Sequence, residues 1–436
     1  MRVAVIGAGI SGFGAALALQ ASGVDVALFE KDARLGGHAH TVTVDYDGAS
    51  MPVDTGFIVF NGLNYPNLVA MLAHLKVETF ESDMSFAVSD PNGYEWSSNG
   101  VAGLFAWKRN LARPAYLGML NDIVRFCARA RTDLAADRVG PGSLKDYVAR
   151  LGLSRTFLSH YLLPMGAAIW STPEDDVLDY PAETFLRFCD NHRLLHAKRP
   201  SWRSIRGGSR TYVAACAQRL GAAVQAGDAV TEVRRTPTGG VQVRTASGRD
   251  ERFDHVILAC HSDEALAILA DADAEERAAL QAVRYAPNIA YLHRDESLMP
   301  RRRAAWASWN YLRAPDPKAS DKVCVTYWMN LLQDLDPTRP LFVTLNPPAP
   351  PRPELTFGAF DYAHPQFDLP AIAAQKAIRS MGVRRGVSFA GAWLGYGFHE
   401  DGLSSGLAAA AALGAAPPWA APAPRDSLER LSAAAA

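Results

Sequence analysis

The chain has 436 residues, 49% hydrophobic and 20% charged, with a formal net charge of −1. That length calls for two units rather than one core, and the near-neutral balance excludes a global field that recruits nucleic acid. No apolar run reaches the roughly eighteen residues of a bilayer-spanning helix, and the first residues read as a strand rather than a signal peptide. A cytoplasmic protein is expected.

In chain order, the first element is a buried strand over 2–6, Arg2-Val3-Ala4-Val5-Ile6. It runs into Gly7-Ala8-Gly9-Ile10-Ser11-Gly12 and an apolar helix predicted over 13–21. A second strand over 25–29 stops at Glu30. This is a complete dinucleotide-binding βαβ start. Gly7 makes the tight turn, Gly9 lets the backbone approach a pyrophosphate on the positive helix end, and Gly12 lets helix and strand pack closely. Glu30 stands where a carboxylate accepts bonds from ribose hydroxyls. Lys31 to Gly37 follows, with Arg34 placed to neutralise pyrophosphate and Gly36-Gly37 letting the backbone close over it.

The α/β pattern runs to about residue 80. Residues 101–220 read mainly as helices, with stops at Pro114, Pro141, Pro164, Pro173 and Pro181. Strands return at 223–225, 230–234 and 241–244, with Thr238-Gly239-Gly240 as a hairpin turn. Residues 253–260 read as one apolar strand joining the first sheet. Further strands are expected at 323–328 and 341–345, then 387–391, a glycine-rich turn and a helix over 404–412. The expected organisation is a Rossmann-type domain from 1–80, 205–285 and 385–416, an inserted α+β substrate domain from 81–204 and 286–384, and a flexible tail over 417–436.

Two features select the nucleotide. Phe389-Ala390-Gly391 and Glu400-Asp401-Gly402-Leu403 form a second glycine-rich helix start. Its free N–H groups suit the electron-rich N1/O2 edge of an isoalloxazine, which a nicotinamide lacks. No second Gly-x-Gly-x-x-Gly appears, so no separate NADPH domain is expected. The flavin is then reduced by the organic substrate.

These residues resemble the flavin-containing amine oxidase superfamily. Phe57-Ile58-Val59-Phe60-Asn61, Tyr65-Pro66-Asn67, 82–89 and 395–402 are similar to one branch of it. That branch comprises bacterial flavoproteins found alongside cyclopropane fatty-acid synthases, and the oxidoreductase-like N-terminal region of plant cyclopropane fatty-acid synthases. The resemblance reaches about residue 415. No methyltransferase region follows it, so a complete synthase is not expected. It implies an amine-oxidase-like fold holding FAD in an extended pose. By motif, it implies contacts from Gly7, Gly9, Ser11, Gly12, Glu30, Lys31, Arg34, Gly36, Gly37 and His38. It also implies contacts from Gly56, Phe57, Val230, Ala259, Gly391, Gly402 and Leu403. Three departures stand out: Ala392 where an acid is usual, His38 where Arg or Lys is usual, and no flavin-linking cysteine in 395–399. They imply non-covalent FAD and point away from a simple amine. The implied reaction is oxidation or desaturation of a fatty-acyl chain. The alternatives are a literal amine oxidase, or an FAD-bound accessory subunit of a lipid methyltransferase.

His399 and Tyr327 are the candidate catalytic residues. His399 precedes the last flavin-facing helix and can move a proton near N1. Tyr327, with Trp309, Tyr311 and Trp328, can line an apolar substrate cavity. Glu400 and Asp401 suit a helix start by dipole alone. No metal is expected: His38-x-His40 and His192/His196 each lack a third ligand. The five cysteines are scattered, which suggests a reducing compartment without disulfides. Arg193, Lys198, Arg199, Arg203, Arg206 and Arg210 read either as an anion site or as a solvated loop. Trp107-Lys108-Arg109 and Arg113, among Leu104, Phe105, Leu111, Tyr116 and Leu120, read either as an interfacial amphipathic segment giving peripheral membrane contact or as ordinary helix packing.

Overall fold

The structure, a computed structural model, describes residues 1–91, 93–170, 173–198, 200–313 and 323–419. A five-stranded parallel sheet organises one half. Its order is Val224–Ala226, Asp25–Glu30, Arg2–Ile6, His255–Leu258 and Val387–Phe389. In register, Val5 lies between Leu28 and Ile257. Both faces of the central strands are covered, which is why Val3 to Ile6 and His255 to Leu258 are continuously buried. The strands come from three separated stretches of chain, and the fold is the Rossmann-type, amine-oxidase-like arrangement.

Residues 253–260 are not one strand. Asp250–Phe253 belongs to a three-stranded antiparallel sheet with Val230–Arg235 and Val241–Thr245, and His255–Leu258 belongs to the parallel sheet. The chain pivots at Asp254. Its carboxylate accepts the Arg2 N–H at 2.7 Å and its own N–H donates to the Arg2 carbonyl at 2.9 Å. Hydropathy cannot see this break, because both pieces are apolar.

The other half is a seven-stranded sheet backed by helices. Its order is Thr356–Gln366, Arg284–His293, Phe342–Leu345, Cys324–Trp328, Trp309–Leu312, Phe86–Asp90 and Tyr94–Ser97. Pro114 opens the long helix Pro114–Ala135 rather than stopping one, because a first-turn N–H has no intrahelical partner to lose. Pro164 does not end its helix either. A π-turn over Leu158–Leu162 runs into Leu163–Trp170. Pro164 has no N–H for the His160 carbonyl, and the Trp96 indole donates there instead at 3.1 Å.

Three expected boundaries move. The helix Leu369–Met381 buries Ala371, Ala374 and Ile378 in the core of the parallel sheet, against Val256 and Val387, so it belongs to the nucleotide half and not to the 286–384 insert. The last helix runs His399–Ala411, starting five residues before Ser404, because the Asp401 carboxylate accepts the Phe398 N–H at 2.9 Å and closes the first turn. The expected flexible tail begins too early: Trp419 is buried in the core of the nucleotide half and its ring lies 5.8 Å from His74. The rest of that tail, from residue 420, lies outside the described residues. Among the described residues no helix is long and apolar enough to cross a membrane.

Burial lifts the Asp401 carboxyl from 3.8 to about 7. Between those values the native state holds a proton that the unfolded chain releases. This contribution therefore falls as pH rises through that window and levels off above it. Asp401→Asn should flatten the slope of unfolding midpoint against pH between about 4 and 7, measured by denaturant titration.

Candidate functional site

The first helix, Ile10–Ala21, starts with no side-chain cap and no acid in its first turn. Its leading N–H groups have no intrahelical acceptor. Gly7 has φ +106° and donates to the Phe29 carbonyl at 2.8 Å, and a Cβ there would sit 2.6 Å from the Ala259 carbonyl oxygen. A Cβ at Gly12 would overlap the Gly7 carbonyl. Gly9 is different: a Cβ there would meet no protein atom within 4 Å. Gly36 donates to the Ala8 carbonyl at 2.9 Å and clasps the second glycine pair onto this loop, where a Cβ on Gly37 would lie 3.5 Å from Gly9 Cα. Glu30 accepts the Ala8 N–H at 2.8 Å and the Asp32 N–H at 3.1 Å. An uncapped helix start, an open Gly9 and an acid at the second strand's end fit the phosphates and ribose of a dinucleotide.

The remaining expected contacts divide. Arg34 lies exposed beside this loop and donates to the Leu35 and Ala39 carbonyls. Ala259 follows the strand His255–Leu258, its N–H on the Ile6 carbonyl at 2.8 Å. Val230 opens its strand half-buried, paired with Thr245. The Lys31 ammonium pairs with Glu264 at 2.6 Å, both side chains exposed. Ser11, Gly402 and Leu403 serve the packing of the first helix on the last. A Cβ at Gly402 would stand 2.8 Å from Ile10 Cγ2, a Cβ at Gly406 would overlap the Ser11 carbonyl, and the Leu403 side chain is fully buried on Gly14. Leu403 is thus a core residue and has only its backbone to offer a ligand. Gly391 donates to Ser405 Oγ at 2.8 Å, tying the last strand to the last helix.

A second loop is zipped to the first. Thr55 donates its N–H to the His40 carbonyl and Phe57 to the His38 carbonyl, at 2.9 and 2.8 Å. A Cβ at Gly56 would overlap the His38 carbonyl. Phe57 stacks on His399 with ring centroids 3.7 Å apart and planes 6° apart. The His399 Nε2 lies 2.8 Å from the Tyr212 hydroxyl. Burial pushes His399 down to about 3 and the Tyr212 phenol well up. Both groups stay neutral, and which of them donates follows the imidazole tautomer. Burial thus favours the uncharged ring at His399, and Nε2 is engaged by Tyr212. Tyr212→Phe removes this hydrogen bond and should lower stability by about 1–3 kcal/mol in thermal unfolding, by stranding a buried nitrogen.

His38 sits at the centre of a ring cluster. Tyr362, His364 and His261 lie 5.2, 5.6 and 6.1 Å away, and His261 stacks on Tyr285 at 4.3 Å. Burial lowers His38 well below 6.5, and the neighbouring imidazoles and Arg34 lower it further. His364 is brought down to about 4 by burial and then by His261. His40 bonds Thr55 Oγ1 and the Tyr362 hydroxyl, at 3.1 and 3.2 Å, and is structural. Tyr327 lies elsewhere, in the seven-stranded sheet, edge-on to Trp309 at 4.9 Å, with its phenol raised by burial. No hydrogen bond or ring contact joins it to His399 among the described residues.

Glu400 does not cap its own helix. It accepts the Asn67 N–H and Nδ2 at 2.9 Å and the Leu68 N–H at 3.0 Å, capping Pro66–His74 instead. The basic run is dispersed. Arg203 bonds Thr79, Arg206 faces Glu78 and Asp334, and Arg210 bonds Thr43. Arg199 lies outside the described residues. His196 pairs with Asp190 at 2.6 Å and His192 stacks on Phe188 at 3.9 Å. Tyr212, His261, Tyr362 and His364 escaped sequence reasoning, because each arrives from a distant segment with no motif around it.

Solved structures show the same fold. A putrescine oxidase bound to putrescine aligns with TM-score 0.68 and 16% identity, over 95% of this chain and 99% of the other. A CLA-producing fatty acid isomerase from P. acnes aligns with TM-score 0.66 and 16% identity, over 93% and 96%. Cyclohexylamine oxidase from Brevibacterium oxydans aligns with TM-score 0.66 and 16% identity, over 94% and 98%. The family model of flavin containing amine oxidoreductases matches residues 10–296, which span the helix after Gly9, Glu30, the Gly36-Gly37 clasp, the Phe57 loop and the Tyr212 helix. The chain belongs to that family and is an FAD-dependent oxidoreductase.

Proposed function

We propose that this enzyme oxidises a fatty-acyl chain, with desaturation as the matching reaction, on FAD held without a covalent bond. The observation that carries this reading is the surroundings of the Phe57–His399 stack among the described residues: neutral rings, and carboxylates that already have partners. Burial lowers His38, His261, His364 and His399 alike. Asp54 is taken by Thr41, Ser209 and Gln333, Glu264 by Lys31, Asp401 by the Phe398 N–H, and Glu400 by Asn67 and Leu68. A cationic amine finds no spare counter-charge there, and an acyl chain needs none. The resemblance to flavoproteins beside cyclopropane fatty-acid synthases supports the same substrate class, and a fatty acid isomerase shares the fold.

The bound flavin supplies a two-electron acceptor. The chain's own residues do the rest. Gly9 and the uncapped helix start hold the phosphates, and Phe57 with His399 forms a rigid flat wall. Tyr212 holds the His399 ring in place through Nε2. No cysteine lies in 391–403, which supports non-covalent retention. The family match itself favours a second reading, amine oxidation to an imine.

Anaerobic titration separates them. Acyl lipids should bleach the visible flavin band, while putrescine and cyclohexylamine leave it unchanged. Bleaching by amines and not by lipids overturns the proposal. A flavin that neither reduces, in protein that co-purifies with a lipid methyltransferase, makes this chain an accessory subunit instead. Acid precipitation should release the flavin into the supernatant.

A further inference from the structure

Residues 100–124 carry four large apolar side chains that face out of the fold. Val101 is 74% exposed, Leu111 57%, Leu117 44% and Val124 67%. They sit on three consecutive pieces: the helix Gly100–Leu104, the turn Lys108–Ala112 and the helix Pro114–Ala135. The Tyr116 hydroxyl donates to the Leu104 carbonyl at 2.5 Å and its ring lies 6.0 Å from Phe105, which fixes the short helix against the first turn of the long one. Leu117 and Val124 are seven residues apart, about two turns and about 10 Å along one face. The long helix already spends Tyr116, Met119, Phe126 and Ala130 on its inner face, so the outer pair contributes nothing to the core. Tyr116 is fully buried, and Leu104, Phe105 and Leu120 pack inward. The residues that project are therefore mostly not those the sequence pattern singles out.

The same stretch of chain is basic. Between residues 100 and 133 the chain carries Lys108, Arg109, Arg113, Arg125, Arg129 and Arg131 against Asp122 and Asp133, the latter paired with Arg129 at 3.0 Å. The whole chain, by contrast, is nearly neutral. Asp122 is buried and paired with Arg125. Lys108 and Arg109 are exposed and meet no carboxylate among the described residues. Asn99 donates to the Trp306 carbonyl at 3.0 Å, which brings the exposed Arg301 and Arg303 segment alongside.

We propose that this face, built on Val101, Leu111, Leu117 and Val124 and rimmed by Lys108 and Arg109, docks the enzyme on an anionic lipid bilayer. Projecting apolar side chains on the same stretch as exposed cations match the acyl boundary and headgroup layer of such a surface. A second copy of the chain is a poor occupant, because it would bring a second basic rim into the contact with no carboxylate in 100–121 to meet it. The proposal stands whether or not the acyl substrate is right.

The test is co-sedimentation of the flavin-loaded protein with vesicles of phosphatidylglycerol mixed into phosphatidylcholine, against phosphatidylcholine alone. Binding should require phosphatidylglycerol and weaken in high salt. Lys108→Gln with Arg109→Gln should lower partitioning roughly 30-fold. Val101→Asp with Val124→Asp should lower it at least about tenfold. Leu369→Asp, at a side chain 68% exposed on the nucleotide half, should change nothing. Every variant alters an exposed side chain, and retained flavin absorbance reports that it folds. The proposal is overturned if the parent protein ignores phosphatidylglycerol or if the 101/124 pair still binds as tightly. It is also overturned if sedimentation velocity shows a dimer that the 101/124 pair abolishes.

Discussion

Gly9→Asp should yield folded, colourless protein. Gly9 already has φ −78° and ψ −175°, an extended conformation open to any residue, and its Cβ would meet nothing within 4 Å. Asp is also a preferred residue at a helix N-cap, better than Gly by a few tenths of a kcal/mol. The apo-protein should therefore melt at or slightly above the temperature of the wild-type apo-protein. The new carboxylate, however, occupies the approach to the free N–H groups and opposes an anionic pyrophosphate. Like charges at that distance disfavour binding by several kcal/mol, a loss of about a thousandfold or more in FAD affinity. Gly12→Ala gives the opposite result. Its Cβ overlaps the Gly7 carbonyl, so strand and helix must separate, at about 3 kcal/mol or more of fold stability. Flavin absorbance per protein and apo-state melting distinguish the two variants. A yellow Gly9→Asp protein would show that the dinucleotide does not lie on this helix.

The second large effect is expected at Asp54, which no motif marks as structural. Its buried carboxylate accepts Thr41 Oγ1 at 2.6 Å, the Ser209 N–H at 2.9 Å, Ser209 Oγ at 2.8 Å and Gln333 Nε2 at 2.9 Å. Ser209 precedes the helix Arg210–Leu220 that carries Tyr212 to His399. Asp54→Ala strands four donors away from water and frees the start of that helix. The expected loss is about 3–5 kcal/mol in denaturant unfolding. Flavin content should fall with it, because the Phe57–His399–Tyr212 stack loses its support. Asp54→Asn keeps an acceptor and should lose roughly half as much. An Asp54→Ala protein with wild-type stability would mean that these four bonds are not what joins the two halves here.

Much of the nucleotide half was legible because its signals are local. The stretch Arg2 to Glu30 combines a strand, a glycine turn, an apolar helix and an acid within thirty residues, each set by nearest-neighbour sterics. The same holds for the Gly239-Gly240 turn, where both residues take positive φ. The errors fall where a local signal has a non-local answer. Pro164 looks like a helix stop, but the lost bond is replaced by Trp96, sixty-four residues away from the carbonyl it serves. Glu400 looks like a cap for its own helix, but it caps Pro66–His74. The partners of His399, Phe57 and Tyr212, likewise come from distant segments, and burial between them lowers its pKa.

From its sequence alone this protein was bound to carry a dinucleotide on a Rossmann-type sheet, because turn geometry and helix-end charge are properties of a few adjacent residues. Tertiary structure alone decided what surrounds that ligand. His38, His261, His364 and Tyr362 meet only after three distant segments fold together. Their neutrality, like the outward turn of Val101 and Val124, depends on which side chains lose contact with water, and burial is a property of the whole packed chain.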